Sequence, residues 1–307
     1  MLTDRQTPDD IPLVSVIVPS YNSARTIRAC LEAVLGQETG RSYEVIVVDS
    51  STDGTADIVG REYPGVRLIR RRERTFAGAA RNAGVRASRG RYVVMIDSDC
   101  VASRDVLERM VRRHEGGGYA AVGGSVGNGT PGSLSGTVGF LIEFKELMPS
   151  TPERFERSVP TGNAAYRREV FERFGYFDED MWLTEDLLFN WRLYEAGEKL
   201  LFDPEIRAVH LNRTGWRTVL LYQVALGRTS AEARRRGAVI GSKRGDLLFR
   251  FPFLIALLPF VRTAHAAAWF AKYDRKTLLL FLLIWPLYFV AAAFWSYGLL
   301  QGVLKDK

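Results

Sequence analysis

Four short apolar runs, each separated from the next by a segment with helical spacing, limit the fold of this chain most strongly. The runs are residues 14–18, 45–48, 66–69 and 92–96, and they are rich in Val and Ile, with Ser15 and Arg67 as the polar exceptions. Continuous apolar runs of this length are typical of strands that are buried on both faces. The intervening segments, 24–35, 55–62 and 77–87, place apolar or small residues on one helical face. This alternation predicts a doubly wound, mostly parallel α/β sheet.

Carboxylates stand where the predicted strands end. Asp49 ends the second strand and Asp97 ends the fourth, and ligands of such sheets bind outside the carboxyl ends of the strands. Asp97 and Asp99, one residue apart, could hold a hard divalent cation, or they could form an ordinary Asp-rich turn. Asp53 precedes a glycine, so it either caps the next helix or contacts a ligand.

The second half of the chain has a looser pattern. It predicts a helix over 104–114, a strand over 120–126, a loop over 128–139, a charged segment over 149–160 that could form a lid, a strand over 162–166, helices over 185–195 and 218–236, and a short strand over 206–209. Glu185 and Asp186 begin a helix, where they suit the helix dipole or could act as a general base. His210 follows a strand and is either a structural residue or a ligand.

The C-terminal region is apolar and suggests a membrane. Residues 277–304 contain no charge, and as a helix they would be about 42 Å long, which exceeds the roughly 30 Å hydrocarbon core of a bilayer. We expect a transmembrane helix there, with a buried core helix as the alternative. Residues 247–261 are too short for a typical span and contain Arg250. They are expected to be interfacial or re-entrant, with a second span as the alternative.

The charge of the chain is distributed unevenly, and this distribution bears on its binding partners and on its location in the cell. Residues 201–307 carry 16 Lys/Arg against six Asp/Glu. Basic residues between the two apolar segments place that loop, and the large domain with it, on the cytoplasmic side of the inner membrane. The runs 234–236 and 243–244 form either a solvated helix face or a contact with anionic lipid. Nucleic acid is not expected as a partner, because no basic and aromatic reading surface accompanies the charge. The acidic N-terminus predicts no signal peptide.

Only two cysteines, Cys30 and Cys100, are present, which excludes a disulfide scaffold and a Cys-rich metal site.

The order of the motifs resembles the family-two glycosyltransferases of the GT-A fold. The matching segments are VSVIVPSYN, EVIVVDSSTDGTADIV, GAARNAGVRASRGRYVVMIDSDC, TGNAAYRREVFERFGYFDED and TEDLLFNWRL, and the resemblance extends over about residues 13–230.

The resemblance implies a role for each matching residue. It places Pro19, Tyr21 and Asn22 beside the nucleotide, Asp49 and Asp53 in the loop that recognises the base, and Arg81, Asn82 and Asp97 around the donor. It makes Asp99 a ligand of Mg²⁺ or Mn²⁺, with His210 completing the metal site in some relatives. It makes Asp186 the catalytic base, with Glu185 supporting it or contacting the acceptor.

The expected organisation is a tail over 1–12, a catalytic domain over 13–236 with a donor half to residue 100, a basic interfacial segment over 237–276, and a span over 277–304. The resemblance implies inverting, metal-dependent sugar transfer from a nucleoside-diphosphate sugar. The acceptor would be a lipid-linked saccharide in envelope or exopolysaccharide synthesis. The absence of a Gln-x-x-Arg-Trp motif favours the addition of one sugar over polymerisation. Alternatives are a polyprenyl-phosphate acceptor, a soluble or protein acceptor, and a non-catalytic membrane scaffold.

Overall fold

A computed structural model describes residues 11–237 and 243–305, with the side chains of 243–246 left out. Within these residues the strands are β1 Val14–Ser20, β2 Tyr43–Asp49, β3 Arg67–Arg70, β4 Tyr92–Ile96, β5 Cys100–Ala102, β6 Ala121–Asn128, β7 Arg154–Glu156, β8 Asn163–Arg167 and β9 Leu200–His210. The α-helices are α1 Ile27–Leu35, α2 Thr55–Glu62, α3 Ala77–Ala87, α4 Val106–Gly117, α5 Leu134–Phe144, α6 Arg168–Phe174, α7 Glu185–Glu195, α8 Trp216–Arg235, α9 Lys243–Arg250, α10 Leu258–Tyr273 and α11 Arg275–Leu304. Short 3₁₀ helices cover Lys145–Leu147 and Pro252–Leu257.

The strands form one mixed sheet in the order β3-β2-β1-β4-β8-β6-β9-β5, with β7 beside β9. β3, β2, β1 and β4 are parallel, as the sequence predicts. β8 is antiparallel to both β4 and β6, and β9 is antiparallel to β5 and β7. β6 and β9 are parallel to each other, so the first half of the sheet is wholly parallel and the second half mixes both directions. The Gly-interrupted runs of the second half carried no information on strand direction.

The centre of the sheet is buried between two helical layers. Val16 and Val18 face the cluster that contains α1, whereas Ile17 points to the opposite face. A Cβ at Gly84 of α3 would overlap the side chain of Ile17, so this glycine lets α3 lie directly on β1. The tight packing fixes the β1 and β4 ends, which carry the candidate site.

Two segments of the second half differ from the prediction. Residues 134–144 form helix α5 where a loop over 128–139 was expected, and Ser133 Oγ caps it by accepting a hydrogen bond from Gly136 N at 3.1 Å. The Gly- and Ser-rich first turn resembles a loop, but burial of the helix against β6 and α11 outweighs that local preference. The expected lid over 149–160 contains β7, which pairs with β9 at the sheet edge.

The C-terminal helices pack on the catalytic domain. The prediction of a helix over 277–304 is confirmed by α11, but 247–261 is not a separate short segment. Instead, Pro252–Tyr273 is a continuous apolar helical stretch, and both it and Arg275–Leu304 are long and apolar enough to cross a membrane by length and composition. Residues 238–242, within the expected interfacial segment, lie outside the described residues.

Candidate active site

The loops after β1 and β2 are joined by hydrogen bonds at the carboxyl edge of the sheet. Asn22, at a positive φ of 53°, donates its backbone N–H to Ser51 Oγ at 2.7 Å. Its Oδ1 accepts a hydrogen bond from Thr52 N at 2.9 Å. Asn tolerates this left-handed conformation better than most residues, since its short side chain can bond locally. Asn22 therefore stands at the cleft edge and holds the two loops together, while Pro19 is buried within β1.

The two aspartates of the second loop have different roles in the structure. Asp49 is buried, and its carboxylate accepts hydrogen bonds from Ser51 N at 3.0 Å and Ser51 Oγ at 2.6 Å. Asp53 accepts hydrogen bonds from Ala24 N at 3.0 Å, from Thr55 N at 3.1 Å and from Thr55 Oγ1. Although partial burial opposes it, this set of donors lowers the pKa of Asp53. Asp53 thus fixes the loop and accepts the first N–H of α2 from the position before the N-cap, which is Gly54.

Arg81 on α3 is the hub that joins the two halves of the site. It is buried, and its guanidinium pairs with Glu185 and with Asp97 Oδ1 at 2.6 Å. Burial raises the pKa of Glu185 to about 7, against the opposing charge of Arg81. Because both ends of the guanidinium are engaged by carboxylates, Arg81 positions Asp97 and Glu185, and its contact with the donor stays a prediction.

Asn82, the neighbour of Arg81, does not reach the cleft. It is fully buried, donates to Phe177 O and Glu179 Oε1 at 2.9 Å each, and accepts from Phe177 N at 3.0 Å. The donor contact predicted for Asn82 stays a prediction, and in this structure its amide is engaged by Phe177 and Glu179. On an α-helix, consecutive residues point about 100° apart, so Arg81 and Asn82 cannot both face the same cleft.

Asp186 lies at the first turn of α7, one residue after Glu185. Its Oδ2 accepts a hydrogen bond from Thr161 Oγ1 at 3.2 Å, and its Oδ1 accepts one from Leu187 N at 2.8 Å. The side chain is partly exposed, whereas Glu185 is buried. Of the two acidic residues, Asp186 is therefore the one that an acceptor could reach.

Asp99 and His210 meet because β5 and β9 pair in antiparallel register, with Cys100 opposite His210. His210 Nε2 lies 3.4 Å from Asp99 Oδ2. Burial alone would lower the pKa of His210, but the carboxylate of Asp99 raises it to about 9. Burial alone would raise the pKa of Asp99, yet the facing imidazole holds it below its ordinary value.

The partners of His210 fix its tautomer. Asn212 donates through Nδ2 to Asn128 Oδ1 and Thr130 Oγ1, each at 2.8 Å, so its Oδ1 must face His210 Nδ1, 2.7 Å away. Nδ1 therefore carries a proton, and Nε2 points at Asp99. Because the pKa of His210 is about 9, Nε2 also carries a proton in the metal-free protein, and a cation that binds there would have to displace that proton.

Asp99 and His210 can supply part of a metal ion's ligands, with the remaining ligands supplied by a bound substrate. Among the residues that the structure describes, no group of three or more His, Cys, Asp or Glu side chains is arranged to hold a metal ion. Asp99 and His210 supply an oxygen and a nitrogen donor, and further ligands would have to come from a bound substrate. A donor diphosphate offers such oxygen atoms.

A polar recess lies beside His210, and no pattern in the sequence indicated it. It is lined by Gly139, Glu143, His210, Asn212, Arg213, Val219 and Tyr222. The Arg213 guanidinium carbon lies 3.9 Å from the centre of the Tyr222 ring, and Gln223 Nε2 donates to Glu143 Oε1 at 2.8 Å. Burial raises the pKa of Glu143. Glu143 sits on α5, which the sequence did not predict, so no local signal could have identified it.

Arg74 lies between two aromatic side chains at the edge of the cleft. Its guanidinium carbon lies 4.7 Å from the centre of the Tyr21 ring and 5.8 Å from that of Trp182. Tyr21 follows β1, and Trp182 belongs to the loop before α7. A cationic and two aromatic side chains thus line this edge of the cleft.

The family is decided by a comparison with known sequences. The profile described as glycosyl transferase family 2 matches residues 15–175, just over half of the chain. The chain belongs to glycosyl transferase family 2. The matched region contains β1 to β8 and the residues around Arg81, Asp97 and Asp99, and the chain is therefore a glycosyltransferase.

Relatives support this family-2 membership. Glycosyltransferase AglE of Haloferax volcanii is 34% identical over 206 residues, which cover 65% of this chain and 67% of AglE. Succinoglycan biosynthesis protein ExoO of Rhizobium meliloti is 33% identical over 222 residues, which cover 67% of this chain and 63% of ExoO. The chain thus spans about two thirds of the length of these relatives.

Solved structures of glycosyltransferases share the fold. The mannosyltransferase PcManGT from Pyrobaculum calidifontis, in complex with GDP-Man and Mn²⁺, superimposes with a TM-score of 0.64 at 22% identity and covers 98% of this chain and 89% of its own. S. aureus TarS 1-349 in complex with UDP-GlcNAc gives a TM-score of 0.54 at 19% identity, with 95% and 90% covered. The family-2 chain therefore has the GT-A fold, with its Rossmann-like first half.

Proposed function

We propose that this family-2 enzyme transfers one sugar from a nucleoside-diphosphate sugar to an acceptor hydroxyl, with inversion at the anomeric carbon. The observation that carries the proposal is the Arg81 hub. It brings Asp97, at the end of β4, and Glu185, at the start of α7, into contact with one guanidinium. Asp99 and Asp186 are close neighbours of these carboxylates in the sequence, so a donor-side and an acceptor-side acid flank one cleft. The proposed catalytic domain is residues 13–236, with residues 13–100 as its donor half.

We assign the nucleotide to the edge formed by the loops after β1 and β2. Tyr21 is exposed there, and Asp49 presents a carboxylate that is already oriented by Ser51. Asp97 is partly exposed beside Arg81 and is suited to accept a hydrogen bond from a sugar hydroxyl. Asn22 and Asp53 hold these loops in place. The donors GDP-Man and UDP-GlcNAc in the neighbouring structures are consistent with this class of ligand.

Asp99 and His210 are the residues that we propose to hold Mg²⁺ or Mn²⁺. A bound divalent cation would neutralise charge on the diphosphate leaving group. The chain's own contribution is the orientation of the two ligands, since Asn212 fixes the imidazole and the β5–β9 pairing brings it to Asp99. The Mn²⁺ in the PcManGT complex supports a metal in this fold.

Asp186 is the proposed general base. It would take the proton of the acceptor hydroxyl as the oxygen attacks the anomeric carbon, while the bond to the diphosphate breaks. Thr161 and Leu187 N–H orient its carboxylate, and Arg81 keeps Glu185 from competing for the same proton. Because the sequence-based assignment offers no nucleophile beside the anomeric carbon, a single displacement with inversion is the mechanism we propose.

A lipid-linked acceptor at a membrane surface is the acceptor class that we propose. The recess with Glu143 and Arg213 lies between α5 and α8, and these are the helices that carry the apolar α10–α11 pair. Leu134 at the start of α5 and Leu221 on α8 are exposed, at 48% and 55%. An acceptor anchored in lipid could thus reach Asp186 along an apolar surface. We propose the cytoplasmic face of the inner membrane as the location.

Nucleotide-dependent thermal stabilisation of the detergent-purified protein tests the proposal. UDP, GDP, TDP and CDP are compared with Mn²⁺ and with EDTA, since a ligand that binds the folded state raises its melting temperature. We expect one nucleotide to stabilise the wild type with metal only, and Asp99→Ala to lose this effect. Asp57→Ala, which alters an exposed carboxylate on α2, is the matched control and should retain the effect.

Transfer itself is measured with the nucleotide so identified, as its sugar conjugate, on membrane lipid extract. Asp186→Asn should keep the nucleotide-induced stabilisation but lose at least about 100-fold in turnover, because general-base catalysis contributes about 10²–10⁴-fold. A polyprenyl-phosphate acceptor needs no strong base, so nearly unchanged turnover in Asp186→Asn would favour that acceptor. The absence of any nucleotide effect in the wild type would favour the non-catalytic scaffold.

A further inference from the structure

The outer surface of the C-terminal helices is broadly apolar. We call residues 252–304 the C-terminal hairpin, with α10 and α11 as its arms and Asp274 at its turn. The side chains that it exposes are mainly aliphatic and aromatic: Phe253, Leu257, Phe260, Val261, Leu279, Leu280, Leu282, Leu283, Trp285, Val290, Phe294 and Tyr297. A contiguous exposed surface of this kind marks an interaction site.

The turn end of the hairpin rests on the sheet of the catalytic domain. The Arg154 guanidinium carbon on β7 lies 4.5 Å from the centre of the Phe202 ring on β9 and 5.7 Å from that of Trp269 on α10. Phe270 and Phe281, which flank the turn, are buried in a cluster that includes residues of β6 and α5. The turn therefore does not project away from the domain.

The opposite end of the hairpin rests on the same domain, through α8. A Cβ at Gly298 would overlap the backbone of Val224, and one at Gly302 would lie 2.7 Å from Ala231 Cβ. Gly298 and Gly302 thus let the two helix backbones touch, as small residues four apart do at close helix crossings. Arg228 donates to Gln301 Oε1 at 2.6 Å, and Arg235 donates to Gly302 O.

These two contacts bear on how the hairpin can meet a bilayer. From Phe281 to Val303 α11 rises by roughly 33 Å, which is about the thickness of the hydrocarbon core. A crossing by α11 would therefore draw α8, β7 and their charged side chains into the hydrocarbon, where charged residues are rare because they are costly. The run 234–236 is equally committed to the protein, since Arg236 pairs with Asp178 at 2.8 Å. That pairing favours the solvated helix face over the contact with anionic lipid as the interpretation of Arg236.

We propose that the C-terminal hairpin lies in the plane of one membrane leaflet and does not cross the bilayer. This inference deepens the proposed membrane location and rests on it. The occupant of the apolar surface is then a leaflet with anionic headgroups, because the rim of the surface is basic. Lys272, Arg275 and Lys276 stand at the turn and Arg250 at the other end, whereas Asp274 is the one acidic residue within 247–304. Basic rims of this kind add attraction to anionic lipid.

The sides on which the turn and the end of α11 are accessible decide the question. Cys30 and Cys100 are both buried and free, so single cysteines can be introduced without removing them. Lys276→Cys marks the exposed turn, Lys305→Cys marks the exposed end of α11, and Ser150→Cys marks an exposed site on the domain beside them. Sealed right-side-out and inside-out vesicles from expressing cells are treated with a membrane-impermeant maleimide. We expect all three cysteines to be labelled in the same vesicle type and none in the other.

Labelling of Lys276→Cys or Lys305→Cys from the face opposite to Ser150→Cys would overturn the in-plane arrangement, because a crossing by α11 alone moves Lys305 to the far face and a crossing by both helices moves the turn there. Either result would leave the nucleotide-dependent thermal shift intact, so it would not be confused with a failure of the proposed enzyme function. Flotation with preformed vesicles is the second measurement. Wild type should bind phosphatidylcholine vesicles containing about 30% phosphatidylglycerol several-fold more than phosphatidylcholine alone, since basic residues at the surface are attracted to anionic lipid. Equal binding, or a soluble dimer that binds neither, would also contradict the proposal.

Discussion

Arg81→Met tests whether the buried guanidinium holds the site together by charge. Arg81 is 4% exposed and pairs with Glu185, which is 6% exposed in its side chain, and with Asp97, which is 32% exposed. Removing one partner of a buried ion pair costs about 3–5 kcal/mol, because the other charge is left unpaired. Well above pH 7, where a carboxyl with a pKa of about 7 is ionised in the wild type, most of this cost should arise at Glu185, since water can still hydrate Asp97. Near pH 7 the cost should be smaller, because Glu185 can take up a proton when its partner is removed.

The magnitude translates into a measurable change in thermal stability. At roughly 2–4 °C per kcal/mol for a domain of about this size, Arg81→Met should lower the melting temperature by roughly 6–20 °C. Arg81→Lys keeps the charge but not the two-pronged geometry, so it should lose less. Turnover should fall in both variants, as Asp97 and Glu185 lose their common support.

A double-mutant cycle with Glu185→Gln gives the result that would refute the reasoning. The amide that this substitution introduces carries no charge to leave unpaired, so Arg81→Met should cost at least about 1 kcal/mol less in that background than in the wild type. If Arg81→Met destabilises the protein equally in both backgrounds, the guanidinium acts by filling space beside Phe177 and not by neutralising Glu185.

Three further predictions concern the loops, the core and the hairpin. Asp53→Ala should lower the free energy of unfolding by about 1 kcal/mol, the usual value for a lost helix cap, and it should weaken nucleotide binding. Unchanged nucleotide binding would show that the loops after β1 and β2 keep their conformation without the Asp53 carboxylate. Burial lowers the pKa of His114 to about 4, so the free energy of unfolding of the wild type should fall by up to about 3 kcal/mol between about pH 6.5 and pH 4, and that of His114→Gln should not. Greater stability of the wild type on acidification would mean that the two carbonyls facing the ring nitrogens stabilise the protonated ring more than burial opposes it. Gly298→Ala should destabilise the protein by about 1–3 kcal/mol, whereas Gly116→Ala, in open space on α4, should be neutral or stabilising. Equal melting temperatures of the two variants would contradict the close contact between α8 and α11.

The sequence alone was sufficient for the donor half of the fold. Helices 55–62 and 77–87 and strand 92–96 have the bounds predicted from their patterns, since buried parallel strands and their helices carry strong local signals. The aspartates at the strand ends, Asp49 and Asp97, could be located because a parallel sheet brings its carboxyl ends to one edge. Family-2 membership likewise follows from the ordered motifs.

Tertiary structure decided which of the candidate residues can meet a ligand. Arg81 and Asn82 are adjacent in sequence, yet one joins two carboxylates of the cleft and the other is sealed behind it. His210 reaches Asp99 through a strand pairing between residues about 110 apart, which no local pattern encodes. Helix α5 and Glu143 were missed because burial, and not propensity, makes that segment helical.

The same division holds for the C-terminal region. Composition determined that residues 277–304 form an apolar helix, because an uncharged run of this length has few alternatives. Composition could not determine which side of that helix meets lipid and which meets protein, since Leu and Trp suit both. That was decided by Gly298 and Gly302, whose missing side chains let α11 lie directly on α8 of the catalytic domain.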